Sequence, residues 1–116
     1  MGAIKINKKN YEKEVLKSEM PVLLNICADW CFQCRIVDPL IDDLADEYKG
    51  RFKVGKMNYN DNKPIAETYN IKYIPTLLVI INGEELERFE EVDPEEDLNA
   101  ILDKYLKKKT GKKKKA

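Results

Sequence analysis

Two apolar runs, "VLLNICA" at 22–28 and "TLLVIING" at 76–83, constrain the fold more than any other feature. Apart from Asn25, each carries apolar residues at odd and even positions alike, the pattern of a strand buried on both faces. Such strands belong in the middle of a sheet with helices on both sides. The chain's 116 residues suffice for one domain of this kind and are too few for two. An apolar content of 43% and a charged content of 36% suit one core under a well-solvated surface.

The segments between these runs supply the covering layers. "AIKIN" reads as a short strand, and "KNYEKEVLKSE" as a helix with Tyr11, Val15 and Leu16 inward, stopped by Pro21. From Phe32 to Tyr48 the residues Ile36, Val37, Leu40, Ile41, Leu44, Ala45 and Tyr48 recur at three and four, which predicts a long amphipathic helix. Pro39 should kink it, and Gly50 is a stop signal. "RFKVGKMNY" is a strand with Phe52, Val54 and Met57 in the core, and "NDNKPIAETYNI" a short helix with Pro64 in its first turn. Asn82-Gly83 turns the second apolar run into a hairpin with "EELERFEEV". Asp93-Pro94 opens a last helix with Leu98, Ile101, Leu102 and Tyr105 inward. The predicted order is βαβαβαββα.

The formal net charge of zero is made of unequal parts. Residues 107–116, "KKKTGKKKKA", hold seven lysines and no acid, while the other 106 residues hold 14 basic against 21 acidic residues, a net of −7. The reading is an acidic folded domain over 1–106 and a disordered, solvated tail over 107–116. A lysine run can meet nucleic acid or anionic lipid, but the acidic body opposes phosphate contact, so no nucleic-acid partner is expected. No run approaches the roughly 20 apolar residues of a membrane span, and residues 1–9 lack the apolar centre of a secretory signal. A mature start near residue 1, a cytoplasmic location and no membrane association are the expectations.

Cys27, Cys31 and Cys34 are the only cysteines, and histidine is absent. Three clustered thiols fall short of the four Cys or His ligands of a closed zinc site. Without histidine there is no Cys-His or Ser-His-Asp catalysis. Three cysteines within eight residues make no disulfide framework either, so dithiol chemistry is what survives. The Cys31-x-x-Cys34 pair lies where a buried strand gives way to a long helix. The free N–H groups and dipole of a helix N-terminus favour a thiolate on Cys31, making it the nucleophile. Cys34, one turn further in, is the resolving thiol. A structural disulfide is the plainer reading, but a four-residue loop stabilises little by chain entropy.

"VLLNICADWCFQC", Pro39, "YNIKYIPTLLVIINGE" and the element order together resemble the thioredoxin family over residues 4–106. The resemblance implies an α/β thioredoxin fold, a central mixed five-stranded sheet flanked by four helices. It also implies a cis peptide before Pro75, facing the cysteines, and a shallow groove of Trp30, Ile74 and Pro75 where a partner's extended segment pairs with backbone near Ile74. A plain core tryptophan is the alternative for Trp30. By this resemblance the chain is a protein dithiol–disulfide oxidoreductase that reduces disulfides of target proteins through Cys31 and Cys34, and the redox centre is a Cys31–Cys34 disulfide with no metal or organic cofactor. Its partners would be disulfide-containing proteins and a separate NADPH- or ferredoxin-dependent reductase, and it would act as a monomer. A disulfide oxidase or isomerase of higher potential, and a thioredoxin-fold binding module, are the alternatives.

The sequence departs from that family at several places. Phe32 and Gln33 replace the usual Gly-Pro, which leaves the redox potential open and puts an apolar ring at the helix start. Asn25 stands where the family buries an aspartate that takes the resolving thiol's proton, so resolution is expected to be slower or to shift with pH. Lys56 matches a family lysine and is expected to lie unpaired near Cys34. Cys27 replaces a tryptophan and reads as a buried inert thiol, with a third redox cysteine as the alternative. Glu90 or Glu91 replaces a glycine beside the groove and should narrow partner choice.

Overall fold

The computed structural model describes residues 2–90 and 97–115, with the side chains of 107–115 excepted. Five strands form one mixed sheet: β1 (Ile4–Ile6), β2 (Val22–Cys27), β3 (Lys53–Asn58), β4 (Thr76–Ile81) and β5 (Glu84–Glu90). Their spatial order is β1-β3-β2-β4-β5. β3 runs parallel to β1 and to β2, whereas β4 is antiparallel to β2 and to β5. The two doubly apolar runs therefore lie side by side at the centre, where burial on both faces is available.

Period-two alternation sorts these strands into two cores. Leu23, Val54, Leu77 and Val79 meet Val37, Ile41 and Leu44 of α1 (Phe32–Glu47) and Leu98, Leu102 and Tyr105 of α3 (Leu98–Lys115). Val22, Leu24, Ile26, Leu78 and Ile80 point the other way. They pack on Val15 and on Ile65 and Tyr69, from α2 (Lys63–Thr68) and the residue that follows it. Each fully buried Leu or Ile in these layers contributes roughly 1.5–3 kcal/mol by leaving water. Counting a π-type segment at Glu12–Leu16 with the three α-helices, four helices flank the sheet among the described residues.

Several expectations are corrected. The first helix is only that five-residue widened turn, pinned to β3 by a 2.8 Å ion pair between Lys53 and Glu14, and Leu16 is exposed. Ile36 is exposed too, because the sheet-facing row of α1 is Cys34, Val37, Ile41, Leu44 and Tyr48, and Ile36 lies about 100° from Val37 around the helix. Pro39 lies inside α1 without ending it. The expected helix start at Asp93-Pro94 falls outside the described residues, and the first α3 residue is Leu98. The backbone of α3 runs from Leu98 to Lys115.

The β4–β5 hairpin turns through Asn82 (φ 55°) and Gly83 (φ 77°), both left-handed, as a two-residue turn between right-twisted strands requires. β5 is an edge strand, and its register with β4 shifts between Val79 and Ile80. Gly55, in β3 between β1 and β2, is a packing constraint of another kind: a Cβ there would stand 2.8 Å from Cγ1 of buried Ile6. Gly55→Ala should therefore lower unfolding stability by about 1–3 kcal/mol through overpacking. In urea melts, adding Ile6→Ala should cost less in the Gly55→Ala background than in the wild type; strictly additive losses would contradict the contact.

Candidate active site

The strand-to-helix junction is built from the end of β2. Because side chains alternate, Leu23, Asn25 and Cys27 share the α1 side of the sheet, and the last two lie beneath the helix start. Cys31 is the N-cap of α1, with extended backbone (φ −92°, ψ 113°). Its Sγ accepts the N–H of Cys34 at 3.2 Å, the kind of capping bond that serine or aspartate oxygens make elsewhere. The Cys31 thiol also donates, over a long 3.8 Å, to the Ile74 carbonyl. The Ile74–Pro75 peptide is cis, as the resemblance implies, and the carbonyl before Pro75 faces Cys31 Sγ.

The cysteines are unbridged. Cys31 is 6% and Cys34 5% exposed. Cys31 Sγ receives a backbone N–H. Burial pushes the Cys34 thiol far above its ordinary pKa, and its neighbours Cys27 and Cys31 add to the shift. Around them the surface is apolar and open. Trp30 is 67% and Phe32 74% exposed, which excludes a core tryptophan. Trp30 Nε1 donates to Asn60 Oδ1 at 3.2 Å, and Asn58 Nδ2 donates to Asp29 Oδ1 at 3.0 Å, tying the loop before Cys31 to the turn after β3. Ile74 is half-buried and Pro75 buried, both on the segment leading into β4. Gln33 is half-buried in the first turn of α1.

Asn25 is fully buried, and its Nδ2 donates to Cys27 Sγ at 3.2 Å. Its Oδ1 has no hydrogen-bond partner, a cost of about 1–3 kcal/mol for a buried amide oxygen. Cys27 itself is half-buried, and burial raises its thiol pKa despite that hydrogen bond and a second one from Cys34. Glu90 ends β5 opposite Thr76, next to Pro75, with its carboxylate 3.6 Å from the Arg88 guanidinium; Glu91 lies outside the described residues.

Lys56 requires a correction. It pairs with Asn25 in the β2–β3 register, but its ammonium is not unpaired: it bridges Asp38 at 2.7 Å and Asp42 at 2.9 Å, both on α1. Acids on one helix face at i and i+4 can clasp one cation from the strand below, and that spacing was the available signal. Burial alone would lower the Lys56 pKa, but the two carboxylates raise it overall. Tyr59, which packs against the cysteine cluster, and Asn60 were likewise not foreseen. A cleft of about 920 Å³ reaches this side of the site, lined among others by Cys27, Cys34, Asp38, Pro39 and Lys56. Among the described residues no group of three or more Cys, Asp or Glu side chains is arranged to hold a metal ion, and no helix is long and apolar enough to cross a membrane.

The Lys56 clasp sets a pH dependence. Burial acts to raise the Asp42 carboxyl, but the Lys56 ammonium and the Ala3 N–H outweigh it, so its pKa is lowered on folding. A lowered carboxyl stabilises the fold above its unfolded pKa of about 3.9 and ceases to do so as pH falls through the folded value. Lys56→Met should remove roughly 0.5–1 kcal/mol at neutral pH and flatten the loss of stability in acid, read from urea midpoints. An acid limb as steep as the wild type's would show that the clasp contributes nothing.

Comparison with known proteins gives the same grouping. The thioredoxin family model matches residues 2–104. A thioredoxin of Porphyra purpurea is 36% identical over 106 residues, covering 91% of this chain and 99% of that one. Thioredoxin 1 of a Nostoc species is 36% identical over 105 residues, covering 90% and 98%. The chloroplastic thioredoxin M5 of rice is 44% identical over 100 residues, or 86% of this chain and 58% of that longer protein. With its sheet order, its cis proline and its Cys-x-x-Cys pair at a helix N-terminus, the chain belongs to the thioredoxin family of protein dithiol–disulfide oxidoreductases.

Proposed function

We propose that the chain reduces disulfides of target proteins with Cys31 as the attacking thiol and Cys34 as the resolving thiol. The Cys31 thiolate attacks one sulfur of the target disulfide, and the other sulfur leaves as a thiolate that takes up a proton. The Cys34 thiolate then attacks Cys31 Sγ, the mixed disulfide breaks, and the second target sulfur departs with the electron pair. The protein is left with a Cys31–Cys34 disulfide, which a separate reductase, NADPH- or ferredoxin-linked, returns to the dithiol.

The observation that carries this reading is the Cys34 N–H aimed at Cys31 Sγ. That donor can hold the negative charge that gathers on Cys31 whenever a disulfide to it is broken. The exposed Trp30 and Phe32 rings, with Ile74 and Pro75, offer an apolar landing surface around an otherwise shielded sulfur. Phe32 and Gln33 tune the potential and the contact area, and Glu90 disfavours acidic targets at the groove's edge. A cytoplasmic location belongs to the same proposal, since thiols are kept reduced there.

In an insulin-reduction assay Cys31→Ser should abolish turnover, whereas Cys34→Ser should trap the target on Cys31 as a mixed disulfide. A target trapped on Cys34 in the Cys31→Ser variant, with turnover retained, would reverse the roles. Because Cys34 is held protonated, the rate of mixed-disulfide resolution should rise about tenfold per pH unit through the neutral range. Asn25→Asp should quicken that step and flatten its rise with pH by supplying a proton acceptor below the thiols. An unchanged profile in stopped-flow measurements would remove Asn25 from the resolution step.

A further inference from the structure

Three thiols share the space under the N-terminus of α1. Cys27, Cys31 and Cys34 belong to one apolar cluster with Ala28, Tyr59 and Ile74. Cys34 packs in this one cluster with both Cys27 and Cys31, so the resolving sulfur has two possible disulfide partners at hand. Asn25 Nδ2 is 3.2 Å from Cys27 Sγ and can hold charge on it, while the buried Asn25 Oδ1 beside it has no partner. The cleft reaches Cys27 and Cys34, but Cys31, Trp30, Ile74 and Pro75 are not among the residues lining it. Cys27 and Cys34 thus meet solvent by a route that the target-binding surface does not use.

We propose that Cys27 and Cys34 form a second redox pair, isomeric with the Cys31–Cys34 disulfide. In the oxidised protein the Cys27 thiolate attacks Cys34 Sγ; the Cys31–Cys34 bond breaks, its electron pair stays on Cys31, and a Cys27–Cys34 bond forms. The proton lost by Cys27 is taken up at Cys31, so the exchange needs no external oxidant or reductant. The product is an oxidised protein whose nucleophile Cys31 is free while its resolving thiol is engaged. Such a form can capture a target sulfur and hold it, and it is reduced again by a thiol entering through the cleft. The inference rests on Cys31 and Cys34 being the exchange pair.

Cleavage by chymotrypsin after Trp30 and Phe32 separates the three cysteines, so the isomers can be told apart by mapping. The wild-type protein is oxidised with diamide, quenched in acid, alkylated and digested without reduction. The free thiol should be found on Cys31 in part of the population and on Cys27 in the rest; alkylation confined to Cys27 would overturn the proposal. In Cys31→Ser the same treatment should remove both remaining thiols and lower the mass by a hydrogen pair. That loss should be absent in Cys31→Ser/Cys27→Ala. Far-UV circular dichroism establishes that the variants are folded, and the wild-type mapping does not depend on them. If Cys31→Ser keeps both thiols while the wild type reduces insulin, this inference alone fails. If the wild type reduces no insulin and yet Cys31→Ser forms its bridge, the functional proposal fails and the second pair stands.

Discussion

Burial of β2 on both faces is the constraint from which the rest of the molecule follows. A strand packed between β3 and β4, with helices above and below, has no freedom to slide, because a one-residue slip would exchange its two core faces. Its last residue is thereby fixed in space, and so is the point at which the chain must leave the sheet and start α1. The cysteine motif occupies that point. A sulfur at the N-cap, an amide aimed at it and a carbonyl opposite it are consequences of where the strand stops.

Most of this scaffold was legible in the residues. Continuous apolar runs identified the central strands, Asn82-Gly83 the hairpin, and the spacing of Val37, Ile41, Leu44 and Tyr48 the long helix. The same periodicity misjudged Ile36 and Leu16, since apolar residues at the margin of a stripe are placed by the width of the surface beneath, which a local pattern does not contain. The π-type turn was read as a longer helix because its sequence favours helix; its short span reflects packing against β3, a contact across 39 residues of chain. At the site, residue types announced thiol exchange, but pairings did not follow from them. That Lys56 meets Asp38 and Asp42 depends on the register between β2 and β3 and on the rotation of α1, both tertiary quantities.

Asn25 shows how much of a site's character can hang on one isosteric change. An amide has nearly the shape of a carboxylate and no charge, so it fits the same buried slot while offering a donor as well as an acceptor. Here the donor goes to Cys27 and the acceptor is left over. Magnitudes show that this is not a packing optimum, because an apolar side chain of the same volume would avoid the desolvation of an unpaired oxygen. The position instead couples a strand in the centre of the sheet to the thiols above it.

The outer edge of the sheet bears on how such a protein behaves at high concentration. β5 carries Glu84, Glu85, Glu87, Arg88 and Glu90 within its seven residues, and a register shift interrupts its pairing with β4. An open edge is a template for strand addition by another copy, and clustered like charges together with an irregular backbone oppose it. At one end the molecule also leaves the Trp30 and Phe32 rings exposed. Guarding the backbone edge against strand addition keeps that apolar end from becoming a nucleus for aggregates.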